Sequence, residues 1–331
     1  MKFLCPTRRG VLKGAAALGA VLAMPAVVRA QSWPSRPITI ICGFSAGGTT
    51  DALARLLAGS LSERLGQPVL VENRTGAAGA IGMTAVANAA PDGNTLLFSA
   101  VGQLTVVPHV SPNLTIDPRT AFEHVSLLAE GDFLLNASAG SGFETFEDLV
   151  SAATANPGGV LYGTSGAGGN LHLFTEATFQ AAGIDLRGIH YAGGSALMPD
   201  LLNNQVQVSL NSYPISAPYI EEGQLKPLLV VGREKNVSYP DVPLGADLGY
   251  DRLSSCVDWF GLHAPAGTPR EIVDELAAGV KAASQEQALK DRIEHGTLRN
   301  VASTPEEFAE RINSDYELFG EIASAAGMSA S

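Results

Sequence analysis

The sequence predicts an α/β protein built from largely parallel sheets and divided into two lobes. Short β-branched segments alternate with helical segments, an order that is typical of parallel sheets covered by helices on both faces. Glycine-rich loops follow several of the predicted strands, and 331 residues are enough for two domains of ordinary size. We expect residues 31–130 together with 256–331 to form lobe 1, and residues 131–255 to form lobe 2.

The composition excludes several functional classes. Hydrophobic residues make up 46% of the chain, which is enough for a sizeable core and disfavours wholesale disorder. The net charge of −12 and the lack of a long basic run disfavour nucleic acid as the main ligand. Three cysteines are too few for a disulfide scaffold, and the six histidines lack metal-binding spacing. We therefore expect neither a metal nor a cofactor.

Residues 1–30 have the features of a twin-arginine export signal. Arg8 and Arg9 precede an apolar run from Gly14 to Val28, and a small-residue cleavage site ends at Ala30. This segment contains five basic and no acidic side chains, so the remainder is more acidic than the whole chain. We expect the segment to be removed near Ala30 and the protein to be exported across a bacterial inner membrane.

Lobe 1 is predicted to start with three strands that alternate with two helices. The run from Ile38 to Cys42 is β-branched and bounded by Pro37 and Gly43, which indicates a buried strand. Leucines recur at helical spacing in the segment that follows, until a Gly-Gln-Pro stop. The predicted strands are 38–42, 69–72 and 95–99, and the predicted helices are 51–65 and 81–90.

Lobe 2 is predicted to start near Phe133, and the C-terminal part of the chain is predicted to return to lobe 1. Its predicted helices are 146–156, 170–182 and 195–202, and its predicted strands are 160–163, 188–191, 206–210 and 228–231. A further strand at 259–265 and two long helices at 269–284 and 304–326 would then pack on lobe 1.

The loop after the first strand allows two functional interpretations. Gly43 to Gly47 matches the G-x-S-x-G nucleophile elbow, which would make Ser45 the nucleophile of a serine hydrolase. Few residues separate the predicted cleavage site from this strand, however, so the earlier strands and the oxyanion loop of such an enzyme have no room. We favour anion binding by backbone N–H groups at the start of the following helix. A tight turn capped by Thr50 or Asp51 is the structural alternative.

Two more glycine-rich loops have the same character. Residues 73–82 follow the second strand, and residues 163–170 follow a strand of lobe 2 and open a helix. Neither matches the P-loop or the dinucleotide fingerprint. Because ligands of open α/β sheets bind at the carboxyl ends of strands, we expect these loops to face each other across a cleft between the lobes.

Cysteines and histidines are expected to be structural. Cys42 and Cys256 either pair in the oxidising compartment or remain buried thiols, and the apolar strand around Cys42 favours thiols. His172 and His190 are expected to fix loops rather than to bind a ligand.

A series of short segments, taken in order and spacing, carries a family resemblance along essentially the whole exported part. These segments are 33–38, Phe44 with 47–51, 65–69, 71–74, 90–93, Pro227 with 239–243, 259–269 and 304–308. With them the chain resembles the substrate-binding proteins of tripartite tricarboxylate transporters, also called the Bug family. The resemblance implies a periplasmic protein with the type II periplasmic-binding-protein fold, closing like a Venus flytrap on a small carboxylate. We expect this protein to be a monomer and not an enzyme. It also implies a membrane transporter partner with one large and one small integral subunit.

The resemblance also implies which residues contact the ligand. Family members commonly have an aspartate where this chain has Asn211, so a ligand without an ammonium group is expected here. A ligand sensor that signals through a membrane protein would need the same cleft and is the alternative function. The implied contacts are Phe44, Ser45, Ala46, Gly47, Gly48, Thr49, Thr50, Asp51, Gly102, Gln103, Thr164, Ser165, Gly168, Gly169, Asn170, Tyr191, Gly193, Gly194 and Asn211.

Overall fold

The computed structural model describes residues 33–165, 167–191, 194–295 and 298–328, so the predicted export signal lies outside the described residues. No helix within these ranges is long and apolar enough to cross a bilayer. The strands are β1 (Ile38–Cys42), β2 (Val69–Asn73), β3 (Thr95–Ala100), β4 (Phe122–Gly131), β5 (Phe133–Ser138), β6 (Leu161–Ser165), β7 (Arg187–Tyr191), β8 (Val208–Ser212), β9 (Leu225–Val231), β10 (Asp258–Pro265) and β11 (Leu298–Asn300). The helices are α1 (Thr49–Leu65), α2 (Ala80–Ala87), α3 (Val101–Thr105), α4 (Val107–Val110), α5 (Pro118–Ala121), α6 (Phe146–Ala155), α7 (Asn170–Ala182), α8 (Gly194–Leu202), α9 (Tyr213–Glu221), α10 (Arg270–Ala283), α11 (Gln287–His295) and α12 (Pro305–Ala325).

The described strands form two mixed sheets. The first has six strands in the order β11-β4-β10-β3-β1-β2, and the second has five in the order β7-β6-β8-β5-β9. β1 lies parallel to β2 and β3, whereas β10 lies antiparallel to β3 and β4. In the second sheet β6 lies parallel to β7 and β8, and β5 lies antiparallel to β8 and β9. The chain therefore forms the α/β two-sheet architecture that the sequence predicts.

The helices cover both sheets through apolar faces. Leu53, Leu57 and Leu61 of α1 are fully buried, and so are Phe308 and Phe319 of α12. Burial of such side chains stabilises the fold by roughly 1.5–3 kcal/mol each. The helical spacing of the leucines is the pattern that predicted α1.

The two crossings between the sheets are tied together at Asp132. β4 continues into β5 through this residue, and its carboxylate accepts a hydrogen bond from the backbone N–H of Arg233 at 2.8 Å and is paired with the Arg299 guanidinium. Gly232 has φ +147°, and a Cβ there would lie 2.1 Å from Asp132 Oδ1. Only glycine therefore allows the returning chain to approach Asp132 this closely.

Most of the predicted elements are confirmed, with changes at their ends. β1 and α7 have the predicted bounds, and both long C-terminal helices are present. α9 was not predicted because Pro214 and Pro218 interrupt its sequence, although Pro214 lies in the first turn, where a missing N–H is tolerated.

Both described cysteines are buried free thiols, which confirms the favoured alternative. Desolvation raises the pKa of Cys42, and it raises that of Cys256 to about 12, so neither thiol is reactive at neutral pH.

Candidate functional site

A cavity of about 220 Å³ lies between elements of the two sheets. It is smaller than a typical drug-binding pocket and fits a small ligand. Its lining residues are Phe44, Thr49, Thr50, Ala78, Ala100, Gly102, Gln103, Val107, Phe133, Gly169, Asn170, Leu171, Ser212, Ile215, Asp258 and Phe260.

The first turns of four helices line this cavity. Thr49 and Thr50 belong to α1, Gly102 to α3, Asn170 to α7 and Ile215 to α9. The first N–H groups of a helix have no partner within the helix, and its dipole places partial positive charge at the same end. α1 and α3 belong to the first sheet's side and α7 and α9 to the second, so both sides contribute positive potential to one volume.

The capping residues leave these N–H groups open. The N-cap residues of the four helices are Gly48, Ala100, Gly169 and Ser212, and none makes a side-chain capping hydrogen bond. Among the helices away from the cavity, α6 and α12 begin with capping boxes at Thr145–Asp148 and Thr304–Glu307, whereas α2 and α10 also lack a side-chain cap. The helix ends that face the cavity are therefore free of side-chain caps and can offer N–H groups to an anion, except at Pro214 in the first turn of α9, which has no N–H.

Charged groups are scarce in the lining. No Lys, Arg or His lies among the described residues that line the cavity, and Asp258 is the one ionisable side chain there. The Oδ1 atom of Asp258 is shielded from solvent and has no hydrogen-bond partner among the described residues. Desolvation raises the pKa of Asp258 to about 7. No metal-binding cluster of His, Cys, Asp and Glu occurs in the described part of the chain.

Asp51 is held by the protein's own donors and not by the cavity. Its carboxylate accepts hydrogen bonds from Gly47 N at 2.9 Å, Asn73 Nδ2 at 2.7 Å and Arg55 Nε at 3.0 Å. Burial acts to raise its pKa, but the hydrogen bonds from Arg55, Gly47 and Asn73 outweigh it and lower the pKa of Asp51 to about 2. Asp51 is thus an anchor for the α1 loop, and it also occupies the Gly47 N–H.

The structure brings seven of the sequence-predicted contact residues to the cavity wall. Two further predicted positions fall on Gly193, outside the described residues, and on Ser165, whose side chain is not described. The seven are Phe44, Thr49, Thr50, Gly102, Gln103, Gly169 and Asn170.

The remaining predicted contacts are not among the described residues that line this cavity. Thr164 is buried with an unpartnered Oγ1, and Gly168 N donates to His172 Nδ1 at 3.1 Å. The Tyr191 hydroxyl donates to Asp200 at 2.8 Å, and desolvation and this carboxylate raise the pKa of Tyr191 to about 12. Ser45, Ala46, Gly47 and Gly48 are exposed in the loop before α1, and Gly194 is the first residue of α8.

Asn211 points away from the cavity because of its place on a strand. Its side chain is buried and donates to Ser209 Oγ at 3.1 Å, whereas the next residue, Ser212, lines the cavity. Successive side chains of a strand face opposite sides, so both residues cannot face the cleft. The ligand charge inferred from a neutral Asn211 therefore loses its basis, and the acid in the cleft is Asp258, which the sequence analysis missed.

Comparisons with known proteins give the chain a family. The model described as "Tripartite tricarboxylate transporter family receptor" matches residues 53–328. The "UPF0065 protein in gbd 5′region" of Cupriavidus necator is 37% identical over 276 residues, which cover 83% of each chain. The chain belongs to this receptor family.

Solved structures place the receptor among periplasmic binding proteins. A structure from R. palustris with adipate is 30% identical, with a TM-score of 0.79, and the match covers 90% of this chain and 99% of that one. The periplasmic binding protein BugD is 30% identical, with a TM-score of 0.76 and the same coverage. The predicted periplasmic-binding-protein fold is thereby confirmed, and the receptor is a periplasmic solute-binding protein of a transport family.

A serine–histidine pair exists in the receptor, but it does not include Ser45. Ser99 Oγ lies 2.7 Å from His263 Nε2, and His263 Nδ1 lies 2.9 Å from His124 Nδ1. These three side chains are buried within the first sheet, and desolvation lowers the pKa of both histidines, that of His124 to about 4. Ser45 is exposed, and no described hydrogen bond joins it to a histidine.

A larger cavity of the receptor, about 730 Å³, lies beside β9 and has the wrong chemistry for an anion. Glu144, Glu147 and Asp241 line it, and Lys226 is paired with Glu144 at 2.8 Å. The α6 N-terminus at this cavity is capped by Thr145. The smaller cavity between the sheets is therefore the candidate ligand site.

Proposed function

We propose that this chain is an exported solute-binding protein that captures a small organic carboxylate for a tripartite tricarboxylate-type transporter. Its membrane partner would consist of one large and one small integral subunit. Residues 31–130 with 256–331 would form lobe 1 and residues 131–255 lobe 2, a division that is supported by the distribution of strands between the two sheets. The seven predicted contacts at the cavity wall, together with Ser212 and Asp258, would surround the ligand.

The observation that carries this proposal is the convergence of the uncapped N-termini of α1, α7 and α9 on one cavity whose described lining includes no basic side chain. A carboxylate fits such a site because backbone N–H groups hydrogen-bond both of its oxygens and the helix dipoles balance its charge. Charge-assisted hydrogen bonds contribute roughly 1.5–3 kcal/mol each. A few of them are enough for binding near 1 μM, which corresponds to about −8 kcal/mol.

A thermal-shift and calorimetric screen tests the ligand class. We expect malonate, succinate, glutarate or adipate to stabilise the folded protein, by about 2.7 kcal/mol at a hundredfold excess over the dissociation constant. Adipamide, which has the same carbon chain without charge, is the matched control. A carboxylate site would be excluded if adipamide stabilised the protein as much as adipate does. It would also be excluded if none of the carboxylates stabilised the protein.

Uptake by cells separates transport from sensing. Deleting the gene should abolish uptake of the bound carboxylate, and only a binding-competent variant should restore it. Normal uptake together with lost gene induction would instead indicate the sensor function. Mass spectrometry of the protein from the periplasm should find an N-terminus near Gln31, and an intact 1–30 segment in the membrane fraction would contradict the export proposal.

A further inference from the structure

The side chain of Asp258 lies on the cleft side of β10. Asp258 is the first residue of this strand and pairs with Gly131 of β4. The next residue, Trp259, points to the opposite face, where its Nε1 donates to Asp315 Oδ2 at 2.8 Å. Asp258 therefore belongs to the cavity and not to the polar network behind the strand.

The charged groups behind the strand are already paired with one another. Glu130 lies opposite Trp259 and accepts from Arg311 at 3.0 Å, and Arg311 also binds Asp315 at 2.7 Å. Asp132, at the crossing, is bound by Arg299. No described hydrogen bond or ion pair joins any of these groups to Asp258.

Among the described residues, the elements that face Asp258 from across the cavity offer no counter-charge either. On α1, Asp51 is bound to Arg55, and on α7, His172 accepts from Gly168 N and lies 3.9 Å from Glu176. Desolvation, followed by the proximity of His190, lowers the pKa of His172 to about 4, so this ring is neutral at physiological pH. The other lining groups are hydroxyls, amides, backbone and apolar side chains.

An anionic ligand in this cavity would meet a carboxylate that has no cationic partner among the described residues, unless a proton lies between them. An ionised carboxylate close to a second one is strongly disfavoured when both are desolvated, and the usual solution is a shared proton. Phe133 and Phe260 line the same cavity, and the Oδ1 atom of Asp258 is shielded from solvent. The raised pKa of Asp258, about 7, agrees with a carboxyl that is half protonated before any ligand arrives.

We propose that Asp258 is a specificity-determining residue that binds the ligand as a neutral carboxyl and donates its proton in a hydrogen bond to a ligand carboxylate oxygen. This proposal rests on the proposed function, because it requires an anionic ligand. The proton is taken up from solvent, so each carboxylate is captured together with up to one proton. A ligand with a carboxylate at this point is favoured over one that places an apolar group there.

Calorimetry with adipate at pH 6 and pH 8 tests the proposal. If only the protonated form binds, affinity scales with its population, so a pKa of about 7 predicts about tenfold weaker binding at pH 8. In Asp258→Asn the amide donor is permanent, and affinity should change less than twofold over the same range. The titration of adipate itself is common to both proteins and cancels in the comparison. Asp185→Asn, at an exposed site outside the cavity, should keep the wild-type pH dependence.

A second measurement needs no variant. In two buffers of different ionisation enthalpy, the heat of adipate binding to the wild type should show uptake of about half a proton at pH 7. Equal affinity at both pH values with no proton uptake would overturn the role of Asp258 but leave the carboxylate site intact. Loss of binding in a folded Asp258→Asn at both pH values would also overturn it, since it would show that an ionised Asp258 accepts from a donor on the ligand. If no carboxylate of the screen binds the wild type, the proposed function fails, and this proposal with it.

Discussion

Replacing Gly48 with a residue that caps α1 through its side chain should weaken ligand binding. Gly48 is the N-cap residue with φ −74° and ψ 171°, an extended conformation that any residue adopts. A Cβ at this position would lie 3.5 Å from Ser45 O, an ordinary contact, so the substituted protein should fold. Asn or Asp at an N-cap accepts a hydrogen bond from the second or third N–H of the helix. In Gly48→Asn these are the N–H groups of Thr50 and Asp51, which the wild type leaves for the ligand.

The loss of affinity in Gly48→Asn can be worked out from the hydrogen-bond donors that the ligand loses. Losing one charge-assisted hydrogen bond of about 1.5–3 kcal/mol weakens binding roughly 10- to 150-fold. Gly48→Asp adds a negative charge and should bind more weakly still. The stability of the ligand-free protein should rise by only a few tenths of a kcal/mol, because glycine is itself an acceptable N-cap.

Gly48→Ala separates capping from bulk. Alanine adds the Cβ but no acceptor, so its affinity for adipate, measured by calorimetry, should stay within about threefold of wild type. Thermal melting without ligand checks that all three variants are folded. Wild-type affinity in Gly48→Asn, or an equal loss in Gly48→Ala, would refute the argument that open N–H groups at α1 hold the ligand.

Three further predictions concern contacts between the sides, buried histidines and the elbow serine. Gly102→Ala places a Cβ 3.0 Å from Asn170 Cβ on the other side of the cavity. We expect overpacking of about 1–3 kcal/mol and adipate binding weakened roughly 5- to 150-fold, whereas Gly59→Ala, in open space on α1, should keep its affinity. Burial lowers the pKa of His124 to about 4, so below pH 6.5 the unfolded chain binds more protons than the folded one. Between pH 7 and pH 5 the free energy of unfolding of the wild type should therefore fall by about 2 kcal/mol more than that of His124→Gln. Equal losses in the two proteins would contradict this. A serine-reactive phosphonate should leave Ser45 unlabelled in a mass spectrum, and stoichiometric labelling would revive the hydrolase interpretation.

The sequence predicts some helices and strands of this fold better than others, depending on how clearly their ends and their burial pattern show in the sequence. β1 and α7 were predicted with their observed bounds because their ends are marked by chain-breaking residues: Pro37 and Gly43 bound β1, and Gly169 and Gly183 flank α7. β4 was not assigned, because nearly all of its residues are buried and it shows no alternation. The short α3 cannot be recognised from periodicity, because it is a single turn that forms in tertiary context.

The parts of the site formed by backbone N–H groups could be predicted from the sequence, and the parts formed by side chains less so. Glycines before Thr49 and before Asn170 indicate two open helix N-termini, and the structure brings both to one cavity. The face of the sheet on which the Asn211 side chain lies depends on the register of β8, and this register cannot be assigned until the bounds of the strand are known. Asp258 stands at a strand end beside apolar residues, and only the assembled cavity shows that its Oδ1 lacks a partner.

The candidate site is lined by helix N-termini, and its described lining has no basic side chain. The affinity of such a site for a carboxylate should depend on the contact between the helices of the first sheet and those of the second. The partial charge at a helix end is about half an elementary charge and is strongly weakened by water. α1 and α3 alone would present a carboxylate to solvent on its other side, where the screening is greatest. With α7 and α9 completing the wall around a bound carboxylate, the same dipoles would act in a medium of lower dielectric constant. Under the proposed function, separating the two sides would both remove donors and restore screening, which would favour release of the ligand.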